Sequence, residues 1–375
     1  MPMAPSNPPV PEGAREVLDL LRRHHNVLIS GPPGTGKSRL LAEVAASFQF
    51  QAGGPAYLKT AAIAIPSSTT GPPPPYLPSP SRSQRHVFST ALHSGSKPRD
   101  FLRGVVPAIK PGGTGELQFE VTMGTLYAAS QAARTDDGAA LLIIDEINRG
   151  PAVAVFGPAI VGLESDKRLG DDGQPTPTTQ HFPVLNDSGH EIEYALPKHL
   201  YILGAMNQVD TSVAALDVAF LRRFSPYHLQ PNEAVLLRHF GIAAANVPTA
   251  DPASDKEVYG LLVAAWRRVN EQLSLGRGPE YQVGHGALMG AAPPAGLPEA
   301  RDHVARVWAT VRQHIDEVFF GDTRGIGEVL AAGSQGSPYS VTDTLFAGQP
   351  VVQLEGPSYL EGSKLTAALR AIAKA

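Results

Sequence analysis

Three stretches of the chain are continuously apolar rather than alternating: Asn26 to Ser30 (NVLIS), Ala139 to Asp145 (AALLIID) and Leu200 to Met206 (LYILGAM). Runs of this length without a polar face predict strands covered on both sides, as in a parallel sheet with helices on each face. Glu12 to His25 places Val17, Leu18, Leu20 and Leu21 at helical spacing and leads into the first strand, and a helix-forming stretch, Arg39 to Phe48, follows it. Shorter strands are expected at His86 to Thr90 and Pro226 to Leu229, and a pair of them within His181 to Leu196 around the turn Asn186 to Gly189. Pro151 to Ser165 is expected to be a helix. From Asn232 onward strand signals vanish, and helices are expected at Glu233 to Phe240, Lys256 to Leu273, Ala300 to Phe320 and Gly362 to Ala373. The pattern predicts an α/β domain over residues 11–230, then a helical domain over 231–375, with no internal repeat. Residues 1–10 read as a flexible tail. Gln51 to Arg85, rich in Pro, Ser, Thr and Gly and including Gly71-Pro-Pro-Pro-Pro, reads as an exposed loop disordered in its middle.

The turn between the first strand and its helix carries chemistry. Gly31-Pro32-Pro33-Gly34-Thr35-Gly36-Lys37-Ser38 is a glycine-rich loop whose backbone N–H groups can wrap a triphosphate. Lys37 then reaches the β/γ-phosphates, Ser38 ligates Mg²⁺, and Arg39, next along the helix-forming stretch, is a candidate nucleotide-binding residue. Asp145 and Glu146, at the end of the second apolar run, supply what such a loop requires: one carboxylate for the hydrated Mg²⁺ and one to deprotonate the attacking water. Asn207, at the tip of the third run, either sits beside the same water or is a turn former. Arg222 and Arg223 in LDVAFLRRFSP are either a trans-acting arginine finger in a ring of subunits or a surface pair at a helix end, where cations suit the dipole.

Composition narrows the setting. The 375 residues are 42% hydrophobic, ordinary for a globular chain, and include no cysteine, which excludes disulfides and thiolate metal sites. The Pro-rich start lacks a charged-then-apolar leader and no run reaches membrane-spanning length, so a cytoplasmic location is expected. A net charge of −4 carries no basic footprint for gripping nucleic acid.

Taken together, the motifs resemble the AAA+ ATPases, and specifically the McrB-like branch related to the MoxR and dynein groups. Leu141 to Gly150 (LLIIDEINRG) is very similar to that branch's Walker B segment, in which Asn148 and Arg149 follow the acids. Phe101 to Gly104, Val155 to Gly157, Leu196 to Asn207, Gln282 to His285 and Phe319 to Asp322 match in the same order. Two departures stand out. Gln208 and Thr211 replace the branch's Thr and its Arg three residues on, and the triple Arg before Phe is reduced to Leu221-Arg222-Arg223. The MoxR pattern favours Arg223, beside Phe224, as the finger. The resemblance implies a P-loop domain with a helical lid, a hexameric ring hydrolysing ATP or GTP with Mg²⁺, and often a McrC-like nuclease partner through which DNA is engaged. His285 would face the nucleotide from the lid or be a structural histidine. With the first strand starting at Asn26, no DNA-reading domain is expected ahead of the motor. A MoxR-like chaperone remodelling a protein partner is the rival reading. A non-hydrolysing scaffold is disfavoured by intact Lys37, Asp145 and Glu146.

Overall fold

The computed structural model describes residues 10–49, 74–109, 117–207 and 216–375. The expectations for the N-terminal tail, for most of the Pro-rich loop and for Gln208 and Thr211 lie outside the described residues. Those described fall into two compact units: residues up to Ser30 with Lys37–His228, and Gly31–Gly36 with Leu229–Ala375.

In the first unit the chain runs α1 (Glu12–His24), β1 (Asn26–Ser30), α2 (Lys37–Phe48), β2 (Gln84–Ala91), α3 (Pro98–Phe101), β3 (Arg103–Ile109), β4 (Leu117–Met123), α4 (Thr125–Arg134) and β5 (Gly138–Asp145). It continues through α5 (Ala152–Phe156), β6 (Phe182–Leu185), β7 (Glu191–Tyr194), β8 (Leu200–Ala205), α6 (Val218–Leu221) and β9 (Ser225–His228). Five strands form a parallel sheet in the order β2-β5-β8-β1-β9. The order explains the sequence pattern. β5, β8 and β1 are interior and almost wholly buried, hence continuously apolar, whereas the edge strands β2 and β9 alternate. Pro226 is tolerated in β9 because an edge strand leaves one side unpaired.

The helix expected over Pro151 to Ser165 is broken. α5 stops at Phe156, and a 3₁₀ segment occupies Gly157–Gly162, because Gly157 takes φ 50° and the following Pro158 disfavours helical backbone there. An antiparallel hairpin, β3–β4, lies between the second strand and α4, where none was expected. Arg103 ties it to the expected β6–β7 hairpin by an ion pair with Asp187 while stacking over the Tyr127 ring.

The second unit contains α7 (Glu233–Phe240), α8 (Asp255–Gly276), α9 (Leu297–Val318), α10 (Thr323–Val329), β10 (Ser340–Phe346), β11 (Gln349–Glu355) and α11 (Gly362–Lys374). Its core gathers Leu262, Trp266, Trp308, Val311 and Leu369, with Phe240 stacked on Tyr259 at 4.3 Å. The β10–β11 hairpin corrects the expectation that strands end at Asn232: its two strands pair antiparallel from Ser340↔Glu355 to Phe346↔Gln349.

Candidate functional site

In the first unit the parallel sheet brings the predicted acids and amide to one end. Asp145 closes β5, and Asn207 lies two residues past the end of β8, the next strand over. Carboxyl ends of parallel strands are where open α/β sheets bind ligands. Glu146 follows Asp145 in a left-handed conformation, φ 49° and ψ 45°, and its backbone N–H is accepted by the Asp145 carboxylate at 2.9 Å. That turn separates the two acids: Asp145 stays with the strand, while Glu146 points onto the following turn and pairs with Arg149 Nε at 2.8 Å. Asn148 Nδ2 donates to the Asn207 carbonyl at 2.8 Å, locking the turn after β5 to the segment after β8.

Lys37 opens α2 with Ser38 beside it. Burial pushes the Lys37 ammonium down to about 8, and the negative charge of Asp145 opposes that shift, so the two groups interact electrostatically. Arg39, itself exposed, reaches along α2 to the buried Glu43 at 2.8 Å, an i,i+4 pair.

The other loop residues, Gly31 to Gly36, pack with the second unit. Gly34 and Gly36 take φ 77° and 89°, which residues bearing a Cβ rarely adopt, and the buried Thr35 closes the turn by donating its hydroxyl to the Pro32 carbonyl at 2.8 Å. Pro33 and Gly34 carbonyls accept N–H bonds from Gly284 and Gly286, on either side of His285.

A site for Mg²⁺ is implied by the motif. Ser38 and Asp145 offer a hydroxyl and a carboxylate oxygen, the hard donors Mg²⁺ takes while keeping several waters. Among the described residues no group of three or more His, Cys, Asp or Glu forms a self-sufficient metal cluster.

Arg222 and Arg223 lie at the end of α6, beside an open cavity of about 350 Å³ that also involves His24, Glu164 and Asp166. The two arginines differ. Arg223 is tied down: its guanidinium donates to the carbonyls of Ile160, at 3.2 Å, and Ala219, and lies 3.6 Å from Glu164. Its own carbonyl accepts from Asn26 Nδ2 at 3.0 Å. Arg222 is exposed, and among the described residues its side chain has no hydrogen bond or ion pair. Asn26 in turn receives Arg168 Nη2 at 2.7 Å. The wholly buried Arg168 also donates to the Leu163 and Leu200 carbonyls, so a polar joint beneath β1 and β8 supports the arginine pair. Sequence reasoning did not give roles to Asn26, Arg168, Asn148, Arg149, Gly284 or Gly286. For Asn148 and Arg149 the only signal was their place in the stretch after the acids.

The AAA domain family model matches residues 21–155. The chain is 26% identical over 321 residues to the type IV methyl-directed restriction enzyme EcoKMcrB subunit of Escherichia coli K12, covering 84% of this chain and 58% of that protein. It is 31% identical over 215 residues to the type II restriction enzyme BsuMI component YdiS of Bacillus subtilis 168, covering 55% of this chain and 57% of that one. The chain thus spans somewhat over half the length of these curated relatives. A putative ATPase from Cytophaga hutchinsonii of known structure aligns over 84% of this chain and 78% of its own at 16% identity, with a TM-score of 0.31, too low to bear on arrangement or activity.

Proposed function

We propose that this chain, which is a McrB-like AAA+ NTPase, hydrolyses ATP or GTP and supplies the energy to a DNA-restriction complex. The observation that carries the hydrolytic reading is that one unit places Lys37 within the electrostatic reach of Asp145, the last residue of β5, and bonds the turn after Glu146 to Asn207 beyond β8. Water attacks the γ-phosphorus in line, the bond to the β–γ bridging oxygen breaks, and the water's proton passes to the Glu146 carboxylate. Asn207 positions the water. Lys37 neutralises charge on the phosphates. Ser38 and Asp145 would hold Mg²⁺, which would spread that charge further.

The restriction role is supported by the names of both curated relatives, each a restriction-enzyme component. On that reading the subunits form a hexameric ring, an arginine completes each neighbour's site, and a McrC-like nuclease or other effector subunit carries the cutting chemistry and the grip on DNA. We place the chain in the cytoplasm; among the described residues no helix is long and apolar enough to cross a membrane.

The test is turnover of ATP and of GTP by the wild type and by Glu146→Gln. The variant is expected to bind nucleotide as the wild type does while hydrolysis falls by at least about 10²-fold, the usual contribution of a positioned base. Near-wild-type hydrolysis by Glu146→Gln would remove Glu146 from the base's role.

A further inference from the structure

The ribbon β10–β11 of the second unit is docked at its base and open at its tip. At the base, Val341 lies against the bare backbone of Gly327 in α10, where a Cβ would find no room, and Arg324 of the same helix pairs with Asp343 at 2.6 Å. Leu354 packs against the core of the unit. Farther out the ribbon is uncovered: every residue from Asp343 to Val351 is exposed, Leu345 and Phe346 at 74% each. Residues 344–354 carry no charge.

The two edges of the ribbon are not alike. Ala347 and Gly348 form a two-residue loop with φ 50° and 78°, which makes Phe346 and Gln349 the hydrogen-bonded pair that closes it. Alternate pairs back from the tip then bond across the ribbon, Thr344 with Val351 and Thr342 with Gln353. The pairs between them, Leu345 with Pro350, Asp343 with Val352 and Val341 with Leu354, turn their backbone groups outward. Pro350 therefore breaks no bond of the ribbon, and it removes a donor from the outer edge of β11. β10 has no such protection. Val341, Asp343 and Leu345 present their N–H and C=O groups to the outside, and among the described residues none of these has a backbone partner beyond the ribbon. An open edge on a ribbon of only two strands is a template for a third.

The side chains along that edge define what the third strand carries. Val341, Asp343 and Leu345 share one face of β10, so the residues set directly opposite them are best apolar, basic and apolar in turn. A second copy of this chain fits poorly. A two-fold pairing that used all three edge residues would centre on Asp343 and set its carboxylate opposite that of its copy. The same carboxylate, on an otherwise uncharged ribbon, repels a nucleic-acid backbone.

We propose that the outer edge of β10 is a docking site for an extended segment of a partner protein, which adds a third strand through Val341, Asp343 and Leu345 and carries the pattern apolar-x-basic-x-apolar. Main-chain bonds supply the affinity, and the Asp343 carboxylate with the exposed Leu345 selects the sequence. This inference goes beyond the nucleotide-hydrolysing function and does not depend on it.

The experiment is titration of the full chain with an end-blocked synthetic peptide, Thr-Val-Thr-Lys-Thr-Val-Thr, followed by fluorescence anisotropy and by amide hydrogen exchange. In the free chain the amides of Thr342 and Thr344 are expected to be protected and those of Val341, Asp343 and Leu345 to exchange freely; the peptide protects these three. Leu345→Pro removes one outward donor and no bond of the ribbon, so it is expected to weaken the peptide about tenfold at a melting temperature close to wild type. Leu345→Thr, which keeps the N–H, weakens it less. Exchanging the lysine of the peptide for glutamate weakens binding about fivefold. A peptide that does not bind, or one that binds and leaves the three amides unprotected, overturns the proposal. So does wild-type affinity in a folded Leu345→Pro variant. Self-association of the chain that Leu345→Pro abolishes overturns it too, by making the edge a contact between copies. If Leu345→Pro does not fold, the exchange pattern of the wild type and the glutamate peptide decide.

Discussion

Lys37 is the residue where burial and function oppose each other. A phosphate site needs the ammonium charged, yet desolvation lowers its pKa to about 8 from an ordinary 10.5, with Asp145 only partly restoring it. On the proposed function, nucleotide would bind the protonated form and raise the pKa again. Below pH 8 this group is charged in the empty site and affinity is flat. Above pH 8 binding must take up a proton, and affinity falls by up to about tenfold per pH unit. The dissociation constant of a non-hydrolysable triphosphate is therefore expected to be level from about pH 6.5 to 7.5 and to rise between about pH 8 and 9.5; a level line throughout would mean that Lys37 does not carry the phosphates. The same shift acts on the empty protein. Between pH 8 and 10.5 the unfolded chain binds more protons than the folded one, so stability rises with pH there, and below pH 8 the full destabilisation by the buried charge is present. Lys37→Met at pH 7 is accordingly expected to raise the melting temperature of the empty protein by a few degrees, about 1 kcal/mol once screening of the partly exposed group is discounted, while abolishing stabilisation by nucleotide.

At the scale of elements, the joints between strands hold the site, and the clearest joint is Arg168. Its guanidinium is buried without a carboxylate, at a pKa lowered by desolvation to about 10, and satisfies the carbonyls of Leu163 and Leu200 and the Asn26 side chain. Arg168→Met would leave the Leu200 carbonyl and Asn26 Oδ1 without that donor, and is expected to destabilise the chain by about 3 kcal/mol, read as a lower urea midpoint at unchanged slope; an unchanged midpoint would mean the joint is not structural. This joint was not legible in the sequence, where Arg168 reads as one more loop cation. What was legible depends on burial on both faces: β1, β5 and β8 announce themselves because nothing polar interrupts them. The ribbons β3–β4 and β10–β11 do not, since surface hairpins lack a continuous apolar run. The tip of the second, Ala347-Gly348 with φ 50° and 78°, is not the Asn-Gly pair that usually signals such a turn. In the site, Lys37, Ser38, Asp145 and Glu146 are set by motif spacing. The Glu146–Arg149 pair and the Asn148–Asn207 bond depend on a left-handed turn at Glu146 that no spacing rule reveals.

For the whole molecule, the decisive question is whether a site is completed by a neighbouring copy, and the arginines after α6 are where that question can be put. The resemblance to the MoxR pattern favours Arg223 as the finger; if a finger acts here, exposure favours Arg222. Arg223 is only 14% exposed at its side chain and spends its donors on Ile160 and Ala219 beside Glu164, whereas Arg222 is exposed. An arginine serving a neighbour's phosphates must be available outside its own subunit, and where measured it contributes about 10³–10⁵ in rate. Arg222→Ala is therefore expected to bind nucleotide through its own phosphate loop but to hydrolyse poorly. Lys37→Ala is expected to be hydrolytically dead yet able to offer its Arg222. Mixing these two inactive proteins should restore turnover wherever an intact loop meets an intact Arg222, a result no arginine acting within its own subunit can produce. Arg223→Ala, by contrast, should lower the melting temperature through loss of its internal hydrogen bonds. If mixing restores nothing although native mass spectrometry detects mixed oligomers, or if Arg222→Ala alone turns over normally, Arg222 does not act in trans.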